Sequence, residues 1–221
     1  MTEWKGHKDQ RYGGFTYSQH GDDIFVVNLF DLLGIEKPSY LDIGAHHPTI
    51  ISNTKLLYDR GSRGVNVDAN PNVMADFARE RPEDQNLNIG VASQAGFMTF
   101  YMDDPKGGRN TFDAAERDQL IAEGRSISTM ETEVVNINDL VQDACGGKWP
   151  DFLSIDAEGL DYEILKSANF LRGRPKVICA EIRKPNTAVT SMMMRRQGFI
   201  CHCRIAENLI FVDREILAKL F

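Results

Sequence analysis

Cysteine is scarce in this 221-residue chain: Cys145, Cys179, Cys201 and Cys203 are the only four, and no two form a CxxC pair. Four are too few for a disulfide scaffold at this length, so they read as reduced thiols of a cytoplasmic protein. Positive charge is also short. Lys and Arg number 25 against 32 Asp and Glu, a formal net charge of −7. With no long block of one sign, this argues against nucleic acid and against a polybasic membrane contact as partners. No apolar run reaches the length of a membrane span, since the most apolar stretch, 24–35, is interrupted by Asn28 and Asp31. Residues 1–14 are polar and lack the apolar segment of a secretory signal. Repeats and low-complexity linkers are absent too, which leaves one domain over 1–221 as the simplest organisation.

What is there alternates. Residues 1–37 read as a helical cover: Ser18 can cap a helix starting near Gln19, with Ile24, Val27, Leu29, Leu32 and Leu33 on a broad apolar face and Gly34 at its end. A buried strand at 39–45 runs into a small-residue turn, and a helix at 53–59 closes at Gly61. A strand at 63–68, a helix from Pro71 to about Glu80 and a third strand at 86–92 complete a βαβαβ half. The stretch 96–136 reads as an excursion from the main sheet, with strand-like ends and a helix at 114–123. Alternation resumes with strands at 150–156 and 175–182, around a helix at 160–168. A helix at 188–197 precedes two strands, 199–204 and 208–212, joined by the tight turn Ala206-Glu207, which makes them antiparallel. The expectation is an α/β fold with a mostly parallel sheet, an antiparallel hairpin at one edge, and a ligand outside the C-terminal ends of the parallel strands.

Acids collect at that edge. Asp68, Asp156 and Glu181 close three strands, and Gly44-Ala45 closes the first. Small residues let a ligand approach the backbone, and an acid ending the second strand can accept hydrogen bonds from both hydroxyls of a ribose. An NAD-dependent sugar oxidoreductase or epimerase would share that acid. It should also carry GxGxxG, which Gly44-Ala-His-His-Pro-Thr49 does not supply.

The segments Tyr40-Leu-Asp-Ile-Gly-Ala45, Gly64-Val-Asn-Val-Asp-Ala-Asn-Pro71 and Asp151-Phe-Leu-Ser-Ile-Asp-Ala-Glu-Gly159 resemble those of class I S-adenosylmethionine-dependent methyltransferases, and more closely the FkbM family. Ser18-Gln19-x-Gly21-x-Asp23, Asn88-Ile-Gly-Val-Ala-Ser93 and Asn208-Leu-Ile-Phe211 are similar to that family's recurrent segments, in the family's order over roughly 18–212. The resemblance implies a Rossmann-like methyltransferase fold with a mostly parallel seven-stranded sheet and an antiparallel C-terminal edge strand. It implies that Asp42, Gly44, Ala45 and His46 lie along the methionine and ribose of S-adenosylmethionine, that Asp68 and Ala69 meet the ribose, that Val91, Ala92 and Ser93 line the adenine, and that Asp156 sits beside the sulfonium. Gln19 and Asn53-Thr54 are candidates for the cofactor carboxylate. The family's commoner Ala-Asn-x-Gly is Ala45-His46-His47-Pro48 here, and Pro48 supplies neither a glycine's freedom nor an amide donor.

The acceptor implied is the oxygen of a small polar molecule, a saccharide or a sugar- or phosphate-containing metabolite. A sugar hydroxyl needs a base within reach or a metal that lowers its pKa. Asp156 is the leading base, with Glu158 and His46 behind it. Asp156 and Glu181, with Glu158 or Asp161, are an oxygen-rich set suited to Mg2+ or Mn2+. The loop Lys106-Gly-Gly-Arg-Asn110 reads either as a phosphate-meeting loop or as a solvated turn. His46-His47 read as loop packing or as ligands, Cys201-His202-Cys203 as packing, and Met192-Met193-Met194 as a partly buried helix. A methyltransferase-like module that binds without turnover would have the same sequence signals.

Overall fold

The structure, a computed structural model, describes residues 16–219. Its centre is formed by β1 (Tyr40–Ile43) and β7 (Phe152–Ile155), every residue of which is buried. Strands covered on both faces read as unbroken apolar runs. Tyr40 and Phe152 turn to one face with Val26, Phe30 and Ile210, whereas Leu41, Ile43, Leu153 and Ile155 turn to the other with Ile137, Ile164 and Phe211. The first of these faces is covered by α1 (Asp22–Leu32) and by α2 (Lys55–Asp59).

Seven strands form the main sheet in the order β3-β2-β1-β7-β8-β10-β9, adding β2 (Gly64–Asp68), β3 (Gln85–Asn88), β8 (Val177–Glu181), β9 (Phe199–Ile205) and β10 (Asn208–Asp213). Pairing is parallel from β3 to β8 and antiparallel from β8 to β10 and from β10 to β9. The antiparallel C-terminal strand is therefore not the edge strand expected: β10 lies inside, between β8 and its hairpin partner, and β9 forms the edge. Fully buried Ile210, Phe211 and Val212 account for the inner place.

Three elements depart from expectation. The strand anticipated over 86–92 is divided at Ile89. Gln85–Asn88 stays in the main sheet, while β4 (Gly90–Ala92) joins a second sheet of order β4-β6-β5 with β5 (Gly96–Met102) and β6 (Ser128–Asn136). A Cβ on Gly90 would stand 2.7 Å from both Phe112 and Val134, so the missing side chain is what lets β4 pack there. The excursion also carries α4 (Ala114–Ala122), capped by the Asp113 carboxylate, which accepts from the amide of Ala115. A helix not anticipated, α5 (Ile137–Ala144), follows β6; the Asn136 side chain accepts from the amide of Asn138, and Ile137, Leu140 and Val141 are buried at helical spacing. Finally, α1 begins at Asp22, not near Gln19. The Ser18 hydroxyl donates to Asp23 at 2.9 Å and accepts the Asp23 amide, so Ser18 fastens the helix start without being its cap. The remaining helices are α3 (Met74–Glu80), α6 (Asp161–Ser167), α7 (Thr187–Arg196) and the short α8 (Arg214–Leu217).

Candidate active site

Register sets where the acids stand. Ile43 pairs with Val67 and with Ile155, and Ile155 pairs with Ala180. The next residues, Gly44, Asp68, Asp156 and Glu181, therefore leave four neighbouring strands at one level. Gly44 has φ 75°, and a Cβ there would lie 1.7 Å from the carbonyl oxygen of Asp156. Only glycine fits between these two strand ends.

A cavity opens over this level, lined at one end by Ile89, Val91, Phe100 and Phe112 and at the other by Gly44, His46, Asp68, Asp156 and Glu158. Its mixed lining, apolar at one end and polar at the other, is of the kind that small-molecule ligands use. A second recess, about 240 Å3, continues on the far side of His46 past Gln19, Asp42, Ala45, Asn53 and Arg109, and shares Gly44, Asp156 and Glu158 with the first. Loop 103–110 roofs both, with Gly107 and Asn110 over the first and Gly108 beside the His46 ring.

Asp68 accepts the amides of His46 and Asn70, each at 2.8 Å, one on each carboxylate oxygen. Each oxygen keeps a further acceptor position. Burial pushes its carboxyl up to about 6, against the pull of those amides. Asp42 is buried and serves a structural network: Thr54 donates to it at 2.7 Å, and Thr54 in turn accepts from Arg81, which also bonds Tyr40 and Asp84. Burial raises the Asp42 carboxyl, and Arg81 partly offsets it. Thr54 is thereby used up, and α2 is too short to offer a helix-terminus anion site. Asn53 donates to Ser154 at 3.2 Å.

The two histidines divide. Nδ1 of His47 accepts the amides of Thr49 and Ile50, both at 3.0 Å, and so holds its own turn. His46, at φ 54°, faces the cavity; burial, then the His47 charge, lowers its pKa and keeps the ring neutral near pH 7.

Asp156 has one oxygen, Oδ1, shut from solvent with no hydrogen-bond partner. Burial first, and the neighbouring Glu181 charge second, push its carboxyl well above the usual carboxylate range. Glu158, at φ 48°, is raised to about 7, by burial and then by Glu181. Arg183, unremarked in the sequence, is the counter-charge: its guanidinium meets Glu116 at 2.6 Å, Glu181 at 3.4 Å and, closest, Glu158. An arginine two residues past a strand-end acid carries no motif, and only the tertiary contacts single it out.

Several expectations are corrected here. Ala92 and Ser93 do not line the cavity; Ala92 packs with Phe100 and Phe112, and the Ser93 carbonyl accepts from Asn136. Of the three residues expected on that wall Val91 lies on it, joined by Ile89 and Gly90 at the division of the strand. The metal set of Asp156 and Glu181 is not assembled: among the described residues no three His, Cys, Asp or Glu side chains converge on a point, and Arg183 already balances Glu181. Nor is the glycine loop an anion trap, because Lys106 pairs with Asp76 at 2.8 Å and Arg109 with Glu123 at 2.7 Å. Ala69 lies on the cavity wall. Cys201 is exposed, not packed, and His202 stacks on Phe25 at 5.6 Å. Tyr162 and Lys166, spaced as a sugar dehydrogenase pair, lie on α6 away from Asp68, with Lys166 bound to Glu163.

A family model, the methyltransferase FkbM domain, matches residues 42–201, more than half of the chain. The chain belongs to the FkbM methyltransferase family. Methyl transfer is therefore its activity class, with S-adenosylmethionine the general donor of such enzymes. No curated protein and no solved structure matches the chain. No helix among the described residues is long and apolar enough to cross a membrane.

Proposed function

We propose that this FkbM-family chain is an O-methyltransferase that methylates a hydroxyl of a small polar acceptor of the saccharide class, with Asp68 as ribose acceptor, the Ile89–Phe112 end of the cavity as adenine pocket, and the Asp156–Glu181 pair as proton acceptor. The observation that carries this reading is the enclosed, unpartnered Oδ1 of Asp156 at the junction of two recesses. The residues fit the cofactor: Asp68 retains two free acceptor positions, and apolar side chains wall the opposite end. Held by Asp68 and the apolar Ile89–Phe112 wall, S-adenosylmethionine would supply an electrophilic methyl group and a neutral thioether leaving group to the acceptor oxygen. The chain's part is to hold the hydroxyl in line and to take its proton. Two coupled carboxyls titrate as a unit, so the ionised member of the pair receives that proton, and Arg183 beside Glu181 steadies the pair's single negative charge before the transfer.

Calorimetry with S-adenosylhomocysteine and with NAD+ tests the ligand; binding of S-adenosylhomocysteine and indifference to NAD+ is the expected result. Asp156→Asn should keep that binding and lose methylation of a saccharide that the wild type methylates. An unchanged rate in this variant would refute the base assignment, and would leave an inert binding module excluded by the activity itself.

A further inference from the structure

A third cavity, about 270 Å3, lies between α4, the turn after β7 and the loop after β8. Its wall carries four carboxylates, Asp113, Glu116, Asp161 and Glu181, and two cations, Arg183 and Lys184. Charge there is less balanced than this count suggests, because the Arg183 guanidinium is already shared among Glu116, Glu158 and Glu181. Lys184 alone remains to meet an incoming anion. The carboxylates are not all committed. Asp161 is occupied by the amides of Ala157 and Gly159, but Oε2 of Glu181 is shut from solvent without a hydrogen-bond donor, 3.4 Å from Arg183 Nε. Asp156 and Glu181 follow paired residues on adjacent strands, and the first lines the cofactor cavity while the second lines this one. Two enclosed acceptors without hydrogen-bond donors thus stand on adjacent strand ends, one beside each cavity. Buried acceptors of this kind call for a donor.

We propose that this third cavity is the acceptor subsite, and that it takes a hydrogen-bond-donating acceptor, neutral or cationic, such as a polyol or amino-polyol, and discriminates against phosphate- or carboxylate-bearing ones. This rests on the methyltransferase reading above and narrows it, setting aside the phosphorylated acceptors among the sequence-based expectations. An anion placed here faces like charge with one uncommitted cation, which selects against it.

The test uses the full chain. Calorimetry with S-adenosylhomocysteine alone comes first, and its failure would count against the donor-site reading only. With that ligand bound, saturation-transfer NMR titrations compare methyl glucoside, glucosamine and glucose 6-phosphate, which share a ring and differ in charge. The first two should saturate, and glucose 6-phosphate should bind about tenfold more weakly or worse. Equal or tighter binding of the phosphate, or saturation by none of the three, overturns the proposal. Gln119→Arg adds a cation to the wall from α4, where Gln119 is exposed and bonded only to Glu123. This variant should bring the phosphate to within a few fold of methyl glucoside while leaving S-adenosylhomocysteine affinity unchanged. A ranking that does not move in a folded variant overturns the location.

Discussion

Replacing Asp68 with asparagine isolates the part of the cofactor site that depends on a charged acceptor. The carboxylate already receives the amides of His46 and Asn70, one on each oxygen, and a ribose diol would use the remaining positions. Asparagine keeps one acceptor oxygen and turns an NH2 group toward either a hydroxyl or a backbone amide, so one charge-assisted bond is lost and a donor is left opposing a donor. A hydrogen bond to a charged group contributes about 1.5–3 kcal/mol. The loss should be about 2–3 kcal/mol, or roughly 30- to 150-fold in the S-adenosylhomocysteine Kd. Titration gives a second handle. Burial holds this carboxyl up at about 6, and the ligand's hydroxyls favour the ionised form, so affinity should fall as pH drops through that value, by at most about tenfold per unit. Calorimetry on wild type and Asp68→Asn at a pH well above and well below 6 reads both effects. An Asn variant within threefold of wild type, or a wild-type affinity indifferent to pH, would refute the assignment of Asp68 to the ribose.

Arg81 is fully buried, and its guanidinium serves Asp84, Tyr40 and Thr54. Arg81→Met strands the Asp84 charge and should cost about 3–5 kcal/mol, or roughly 6–20 °C in Tm by calorimetry; a drop equivalent to less than about 1 kcal/mol would mean the network is dispensable. Gly44→Ala must displace the Asp156 backbone, so it should abolish S-adenosylhomocysteine binding together with a large loss of Tm, whereas Gly34→Ala, with φ 69° but open space around it, should lose only about 1–2 kcal/mol. Equal effects at the two sites would argue against the strand-crossing explanation. Glu158, ordinarily near 4.5, is raised to about 7. The folded state therefore holds the proton more tightly, and stability falls as pH rises from about 4.5 to about 7, by up to about 3 kcal/mol, then levels off. Denaturant titrations across that window should show a shallower slope in Glu158→Gln, and an identical slope would disprove the shift.

The contacts of Arg183 change how the acid-rich edge is understood. Charges that look like a metal set in one dimension are held apart in three by Arg183, which ties α4 through Glu116 to the strand ends through Glu158 and Glu181. The small sheet and α4 thus wall one side of the site, and the excursion is part of it.

The family, the parallel order of the central strands and the level at which Gly44, Asp68, Asp156 and Glu181 emerge were written in the sequence. Short, largely apolar segments such as 40–43 and 152–155, each with one small or polar residue inside it, read as strands covered on both faces, and each is followed by a residue whose chemistry differs sharply from it. The helix at 137–144 was legible too, in Asn136 followed by apolar residues at 137, 140 and 141, yet its direct abutment on a strand hid it. Other features had no local signal. Ile89 divides a continuous strand pattern because Phe112 and Val134 come to rest on Gly90, and that contact spans more than twenty residues. Likewise, Lys106 and Arg109 look like free cations until Asp76 and Glu123 are folded against them. Periodicity and strand-end chemistry are local and survive in one dimension. Whether a charge is spent or available depends on partners brought from elsewhere in the chain, and only the tertiary structure decides it.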